Sequence, residues 1–201
     1  MKIICIGRNY AKHAKEMKAD LPTEPVFFMK PDTALLKEEQ FYFPEFTKDL
    51  HHEIELVLKI SKAGKYIEEQ FAHKYYEEIG LGIDFTARDL QQQCKEKGLP
   101  WEKAKAFDNS APIGKFINKQ NLDLSSINFE LKLNGETKQI GSSSDLIFSF
   151  DKIICYVSKF VSLKTGDLIF TGTPEGVGPV NIGDKLEGFI NGDSFLKLTI
   201  L

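Results

Sequence analysis

The sequence predicts an α+β domain built mainly on sheet, and three observations carry that prediction. Its apolar runs are short, rich in Ile, Val and Phe, and bounded by Gly or Pro, as strands are. Only a few segments have helical composition. Asn134-Gly135 stands between two strand-like runs, the strongest short hairpin signal available. No repeat, low-complexity run or linker interrupts the 201 residues, so residues 1–201 are read as one domain.

The elements follow in order. Residues 2–7 are an Ile-rich strand, and residues 9–18 have helical composition. Pro22 and Pro25 bracket a turn before a strand at 26–29. Residues 31–50 are read as irregular, because Pro31, Pro44 and scattered charges break every period. Residues 53–60 read as a strand with acids at 53 and 55 on one face and Ile54, Leu56 and Leu58 on the other. A helix is expected over 67–76 and a strand over 79–84. Thr86 is read as the cap of a helix that runs to Lys97 and is closed by Gly98 and Pro100. Residues 127–134 and 136–140 are the hairpin arms. Residues 151–160 put Ile153, Ile154, Val157 and Phe160 on one helical face. From Asp167 onward, glycines divide three short strands.

Lys and Arg number 26 and Asp and Glu 29, a net charge of −3 that offers no footprint for nucleic acid or an anionic membrane. No apolar run approaches the roughly 20 residues of a spanning helix. The first eight residues hold too few apolar side chains for a signal-peptide core. Cys5, Cys94 and Cys155 are widely spaced with no CxxC pair, so they read as reduced thiols of a cytoplasmic protein.

Strand side chains alternate, so Glu53 and Glu55 emerge on the same face, about 7 Å apart along the backbone. Two carboxylates that close are tolerated in water, beside Lys or Arg, or on a cation. Asp84 ends an apolar strand directly before a helix, where loops often present chemistry. Three carboxylates with water make a hard oxygen site suited to Mg²⁺ or Mn²⁺. The spacing alone fits a solvated strand face equally well.

His13 and Glu16 are neighbours at i and i+3 on the first helix. A carboxylate beside an imidazole orients it and raises its basicity, as a general base requires, although an ordinary polar helix face has the same composition. Of Lys103 and Lys105 at most one points inward, where it could neutralise an anionic substrate. The run from Thr171 to Gly178 is a glycine-rich loop whose N–H groups could meet a carboxylate or carbonyl oxygen. It is not a phosphate-binding P-loop.

These segments resemble the fumarylacetoacetate hydrolase family, in the short branch of acylpyruvate hydrolases and oxaloacetate decarboxylases. The matching stretches are Gly7-Arg8-Asn9-Tyr10-Ala11-Lys12-His13, Phe28-Met29-Lys30-Pro31 and His52-Glu53-Ile54-Glu55-Leu56. Asp84-Phe85-Thr86-Ala87-Arg88-Asp89, the stretch from Lys97 through Trp101 to Lys105, and Thr171-Gly172-Thr173-Pro174 with Gly176-Val177-Gly178 complete them in the family's order.

The resemblance implies a mixed β-sandwich roll, commonly a homodimer, acting on a small dicarboxylate or 2,4-dioxo acid. It puts Mg²⁺ or Mn²⁺ on Glu53, Glu55 and Asp84, and Lys105 beside the substrate. His13 and Glu16 match a dyad on a lid helix, which the scarcity of apolar residues over 9–24 predicts to be weakly anchored. Gln91 and Thr173 match substrate contacts, and Arg8, Asn9 and Lys30 are further candidates for substrate binding. The expected reaction is cleavage of the C–C bond of an acylpyruvate by metal-dependent hydrolysis, with pyruvate leaving as its enolate. Oxaloacetate decarboxylation and 2-hydroxyhepta-2,4-diene-1,7-dioate isomerisation are alternatives on the same residues. A non-catalytic metal-binding module would need the carboxylates but not His13, Glu16 and Lys105 together.

Overall fold

A computed structural model describes residues 1–17 and 20–201. The chain opens with β1 (Ile3–Gly7), the short helix α1 (Ala11–Glu16) and β2 (Val26–Lys30). The small strands β3 (Leu35–Leu36), β4 (Gln40–Phe41) and β5 (Leu50–His52) lead to β6 (Ile54–Ile60). One helical turn, α2 (Glu69–Ala72), precedes β7 (Tyr76–Ile83) and β8 (Thr86–Ala87). Helices α3 (Arg88–Lys97) and α4 (Glu102–Lys105) follow, then β9 (Ala111–Asn118) and the hairpin β10 (Asn128–Leu133) with β11 (Glu136–Ser142). After α5 (Phe150–Phe160) come β12 (Leu168–Phe170), β13 (Gly178–Pro179), β14 (Lys185–Ile190) and β15 (Asp193–Ile200).

A seven-stranded sheet runs in the order β2-β1-β12-β6-β7-β9-β3, and a five-stranded sheet in the order β11-β10-β14-β15-β4. A small third sheet joins β13, β5 and β8. Pairing is mixed: β1 and β12 are parallel, while β12, β6, β7 and β9 are antiparallel in turn. The expected α+β fold of mixed sheets with few helices is therefore what forms.

Alternation along β6 divides the interior. Ile54, Leu56 and Leu58 join the larger core with α5 and the five-stranded sheet. Val57 turns the other way, into a smaller cluster with Ile3, Cys5, Leu168 and Phe170. Glu55 shares that second face with Val57, because side chains two apart on a strand point the same way. The acid therefore sits at the end of a buried apolar surface rather than in water, and Glu55 is 2 % exposed.

Local signals formed where local chemistry decides. Asn134 and Gly135 both have positive φ, 53° and 83°, and join β10 to β11 with Leu133 opposite Glu136. Gly98 ends α3 in the left-handed conformation, with Leu99 N–H reaching back to the Cys94 carbonyl at 2.9 Å.

Several expectations need correction. The helix expected over 67–76 shrinks to one turn, and Tyr76 instead opens β7, where it is buried and paired with Ile60. Thr86 does not cap α3: its hydroxyl donates to the Asp84 carbonyl at 3.3 Å, and Ala87 takes the cap position. Phe160 stays 56 % exposed, leaning on Phe27 and Tyr156 at the surface rather than entering the core with Ile153, Ile154 and Val157. Residues 31–50 contain two short strands and the first residue of a third, β5.

Strand β9 had no sequence signal, because Pro112 and Gly114 interrupt it. A Cβ at Gly114 would stand 2.1 Å from the Phe195 carbonyl oxygen, so the glycine lets β9 cross directly against β15. The helix expected to reach Lys18 ends at Glu16; Lys18 itself, and so part of the 9–24 segment, lies outside the described residues. No helix among the described residues is long and apolar enough to cross a membrane.

Candidate functional site

The register of β6 against β7 assembles the acids. Ile54 pairs with Ile83 and Glu55 with Gly82, so Glu53 and Asp84 meet just beyond the paired ends. The Asp84 N–H donates to the Glu53 carbonyl at 2.8 Å. Glu53, Glu55 and Asp84 each offer a carboxylate oxygen, and these lie within 4.8 Å of one another. All three residues are buried.

Cations approach from three sides. Lys105 at the end of α4 donates to Glu53 Oε2 at 2.8 Å and to Asp84 Oδ2 at 2.9 Å. Arg88, the first residue of α3, donates to Glu53 Oε1 at 2.6 Å and to Gln91 Oε1 at 2.8 Å. Burial pushes the Glu53 pKa up, but the Lys105 and Arg88 charges prevail and hold its carboxyl well below the usual carboxylate range. Burial also works against charge on Lys105, yet Asp84 and Glu53 raise its pKa and keep it an ammonium.

Glu55 differs. No cation lies within ion-pair distance of it among the described residues, and its Oε2 accepts one bond, from the Gly172 N–H at 2.7 Å. Burial, and then the neighbouring Asp84 and Glu53 charges, push its pKa well above the ordinary value. Asp84 Oδ1 is buried and forms an ion pair with Lys30 Nζ at 2.8 Å. Lys30 Nζ also lies 2.7, 3.1 and 3.4 Å from the Ser110 carbonyl, the Ser110 hydroxyl and the Phe85 carbonyl. A buried acid with no counter-cation, its carboxylate within 4.8 Å of two others, is what a small hard cation would satisfy, so these residues fit Mg²⁺ or Mn²⁺.

The acids floor a pocket of about 360 Å³ walled by Arg8, His13, Gln91, Lys95, Trp101, Lys105 and Thr173. A groove of about 490 Å³ near Ile113, Phe116 and Phe195 is larger but holds none of these acids. Arg8 reaches the pocket from a left-handed backbone, φ 58°, at the end of β1, a strain of the kind that gathers at functional sites. His13 is buried on α1, its Nδ1 3.1 Å from Glu16 Oε2, while Glu16 Oε1 accepts the Gly176 N–H at 3.1 Å. The dyad is thereby tied to the glycine-rich loop, which Gly172 in turn ties to Glu55. At Gly172, φ is 106°, and a Cβ would lie 2.7 Å from that of Asn9. Only glycine fits there.

Two residues expected against substrate lie behind the pocket instead. Asn9 is fully buried, its amide donating to the Thr171 and Phe148 carbonyls and its oxygen accepting the Phe148 N–H. It fastens the loop to the start of α5. Lys30 supports Asp84 from below. We expect Lys30→Met to lower unfolding stability by about 3 kcal/mol in denaturant titrations, because Asp84 loses a buried counter-charge and two carbonyls lose their donor. A change under about 0.5 kcal/mol would refute that role.

Sequence reasoning left Arg88, Lys95 and Trp101 without roles, and Gln139 unnoticed. Arg88 lay in a matched stretch but carried no spacing signal of its own. Lys95 stands over the Trp101 ring, 5.8 Å from its centroid, at the pocket wall. His52 is buried, with Nδ1 2.9 Å from Gln139 Oε1, while His73 is exposed.

A buried acid triad, a pinned lysine and an imidazole–carboxylate pair around one pocket on a mixed-sheet frame form an enzyme-type site. Residues 2–200 match the fumarylacetoacetate (FAA) hydrolase C-terminal family, and the chain belongs to it. The chain is 46% identical to the mitochondrial oxaloacetate tautomerase FAHD1 of Mus musculus over 192 residues, 94% of this chain and 87% of that one. It is 43% identical to the oxaloacetate tautomerase YcgM of Escherichia coli over 196 residues, 96% and 90% of the two chains. Among solved structures, fumarylpyruvate hydrolase from Pseudomonas aeruginosa, in complex with Mn²⁺ and pyruvate, superposes with a TM-score of 0.95 at 39% identity. That match covers all of this chain and 89% of the other.

Proposed function

We propose that residues 1–201 act as one catalytic unit that enolises small 2-oxo acids with the aid of a divalent cation, with oxaloacetate as the leading substrate. The observation that carries this reading is the convergence of Glu53, Glu55, Asp84, Lys105 and the His13–Glu16 pair on one pocket. Mg²⁺ or Mn²⁺ held by the three acids would supply Lewis-acid polarisation of the 2-oxo carbonyl. The choice of oxaloacetate draws on the two tautomerase relatives; the sequence had suggested that substrate only for decarboxylation.

The protein groups divide the remaining work. Lys105, kept as an ammonium, stabilises negative charge as it grows on the 2-oxo oxygen. Glu16 accepts a hydrogen bond from His13 Nδ1–H, leaving Nε2 as the basic nitrogen. His13 Nε2 takes a proton from C3 of oxaloacetate, the electron pair moves to the 2-oxo oxygen, and return of that proton from the imidazolium to the oxygen completes the enol and restores neutral His13. Arg8, Gln91 and Thr173 hold the substrate carboxylates.

A second reading, hydrolysis of acylpyruvates, is favoured by the Pseudomonas fumarylpyruvate hydrolase. There His13 takes a proton from water, the water oxygen bonds to the distal carbonyl carbon, and the C–C bond breaks with its electrons passing to the pyruvate enolate. Protonation of that enolate at carbon completes the products.

The test is a substrate panel followed by enol absorbance, with Mn²⁺ or Mg²⁺ added and with chelator. Oxaloacetate tautomerisation above its spontaneous rate, lost with chelator, supports the first reading. Metal-dependent decay of acetylpyruvate or fumarylpyruvate alone supports the second, and no metal-dependent change in any of them refutes both.

A further inference from the structure

We propose that Gln139, on the far sheet and outside the pocket wall, is a positioning residue that fixes the hydroxyl of Thr173 as a hydrogen-bond donor to the substrate carboxylate. The inference rests on the 2-oxo acid reading above. Gln139 lies on β11 and is 1 % exposed. Its Oε1 accepts the Ile54 backbone N–H at 3.0 Å, and its Nε2 donates to the Pro174 carbonyl at 3.0 Å. Each partner has a single polarity, an N–H on one side and a C=O on the other, so the amide has one possible orientation. Flipped, it would set donor against donor and acceptor against acceptor.

That orientation dictates the next bond. Gln139 Nε2 is also 2.8 Å from Thr173 Oγ1, so Thr173 must accept there. The Thr173 hydroxyl proton then points elsewhere, and it has no acceptor among the described residues. Thr173 lines the pocket over the acids, so its proton is presented to whatever oxygen binds there. Oε1 of Gln139 likewise obliges His52 Nδ1 to donate, at 2.9 Å. The chain of polarity thus runs from the β6 backbone through Gln139 to the substrate, and a carboxylate meets a proton rather than a lone pair.

Oxalate, which has two carboxylates and no reacting bond, is the probe, titrated by calorimetry into the Mn²⁺-loaded protein. Thr173→Val should weaken oxalate binding by about ten- to a hundredfold, the range for a hydrogen bond to a charged group. Thr173→Ser, which keeps the hydroxyl, should bind near the wild-type level. Gln139→Met should weaken binding in the wild-type background and have little effect in Thr173→Val, because it acts through the missing hydroxyl. If Gln139→Met does not fold, Gln139→Glu replaces it: its carboxylate still accepts the Ile54 N–H but turns the Thr173 hydroxyl around. Any direct effect of the new charge is common to both backgrounds and cancels in the cycle. Equal fold-losses from the Gln139 change in both backgrounds, or a Thr173→Ser loss matching that of Thr173→Val, overturn the inference alone. Failure of the wild-type Mn²⁺-loaded protein to bind oxalate overturns the 2-oxo acid reading together with it.

Discussion

Glu55→Gln is expected to lower turnover by about three orders of magnitude and to weaken Mn²⁺ binding in parallel, because polarisation by a cation supplies several kcal/mol of transition-state stabilisation. The reason lies in how charge is distributed in the triad. Glu53 already has Lys105 and Arg88, and Asp84 has Lys105 and Lys30. Among the described residues Glu55 has only the Gly172 N–H, so its charge is the one left for a cation. Glutamine keeps the volume and can still accept that N–H, so the fold should survive. Two measurements check this: Mn²⁺ affinity by calorimetry, and the melting temperature with and without metal. Because burial and the neighbouring acids already disfavour ionised Glu55, the metal-free variant should melt no lower than the metal-free wild type. Added Mn²⁺ should raise the wild-type melting temperature and leave that of the variant nearly unchanged. Full activity of the variant in chelator-treated buffer would sink the assignment.

His13→Ala is expected to separate the reactions this pocket could run. Proton transfer by a positioned side chain is worth about 10²- to 10⁴-fold, and tautomerisation and acylpyruvate hydrolysis both depend on it. Loss of CO₂ from oxaloacetate needs no base on carbon or water, so decarboxylation should fall far less. His13 also helps to seat α1 on the glycine-rich loop through Glu16, which adds a binding contribution. Comparing kcat with KM for each reaction distinguishes the two roles. Equal losses in all three reactions would identify His13 as part of the closure alone.

Much of the frame was legible because it follows from local chemistry. Asn134-Gly135 can take two positive φ values in succession, so the hairpin formed where predicted. Glu53 and Glu55, two apart at the start of a strand, had to emerge on one face, and their carboxylates do meet with that of Asp84. The helix expected over 67–76 failed because composition was its only support: among its residues Ile67, Ala72 and Tyr76 are buried, and Tyr76 does more as the first residue of a central strand. Strand β9 was missed because its glycine and proline break local patterns, and Gly114 is required by the close crossing of β15.

Alternation, helical periodicity and order along the chain were enough to specify the sheet-based fold class, the three acids and the His13–Glu16 spacing. Which side chains face the pocket depended on packing between distant segments. Lys30 and Asn9, read as substrate contacts, turn to carbonyls 55 and 139 residues away. Gln139, with no motif around it, spans 85 residues to Ile54 and 34 to Thr173. A buried polar side chain must find its partner wherever packing brings one within about 3 Å, and no periodicity in the chain records which distant group that will be.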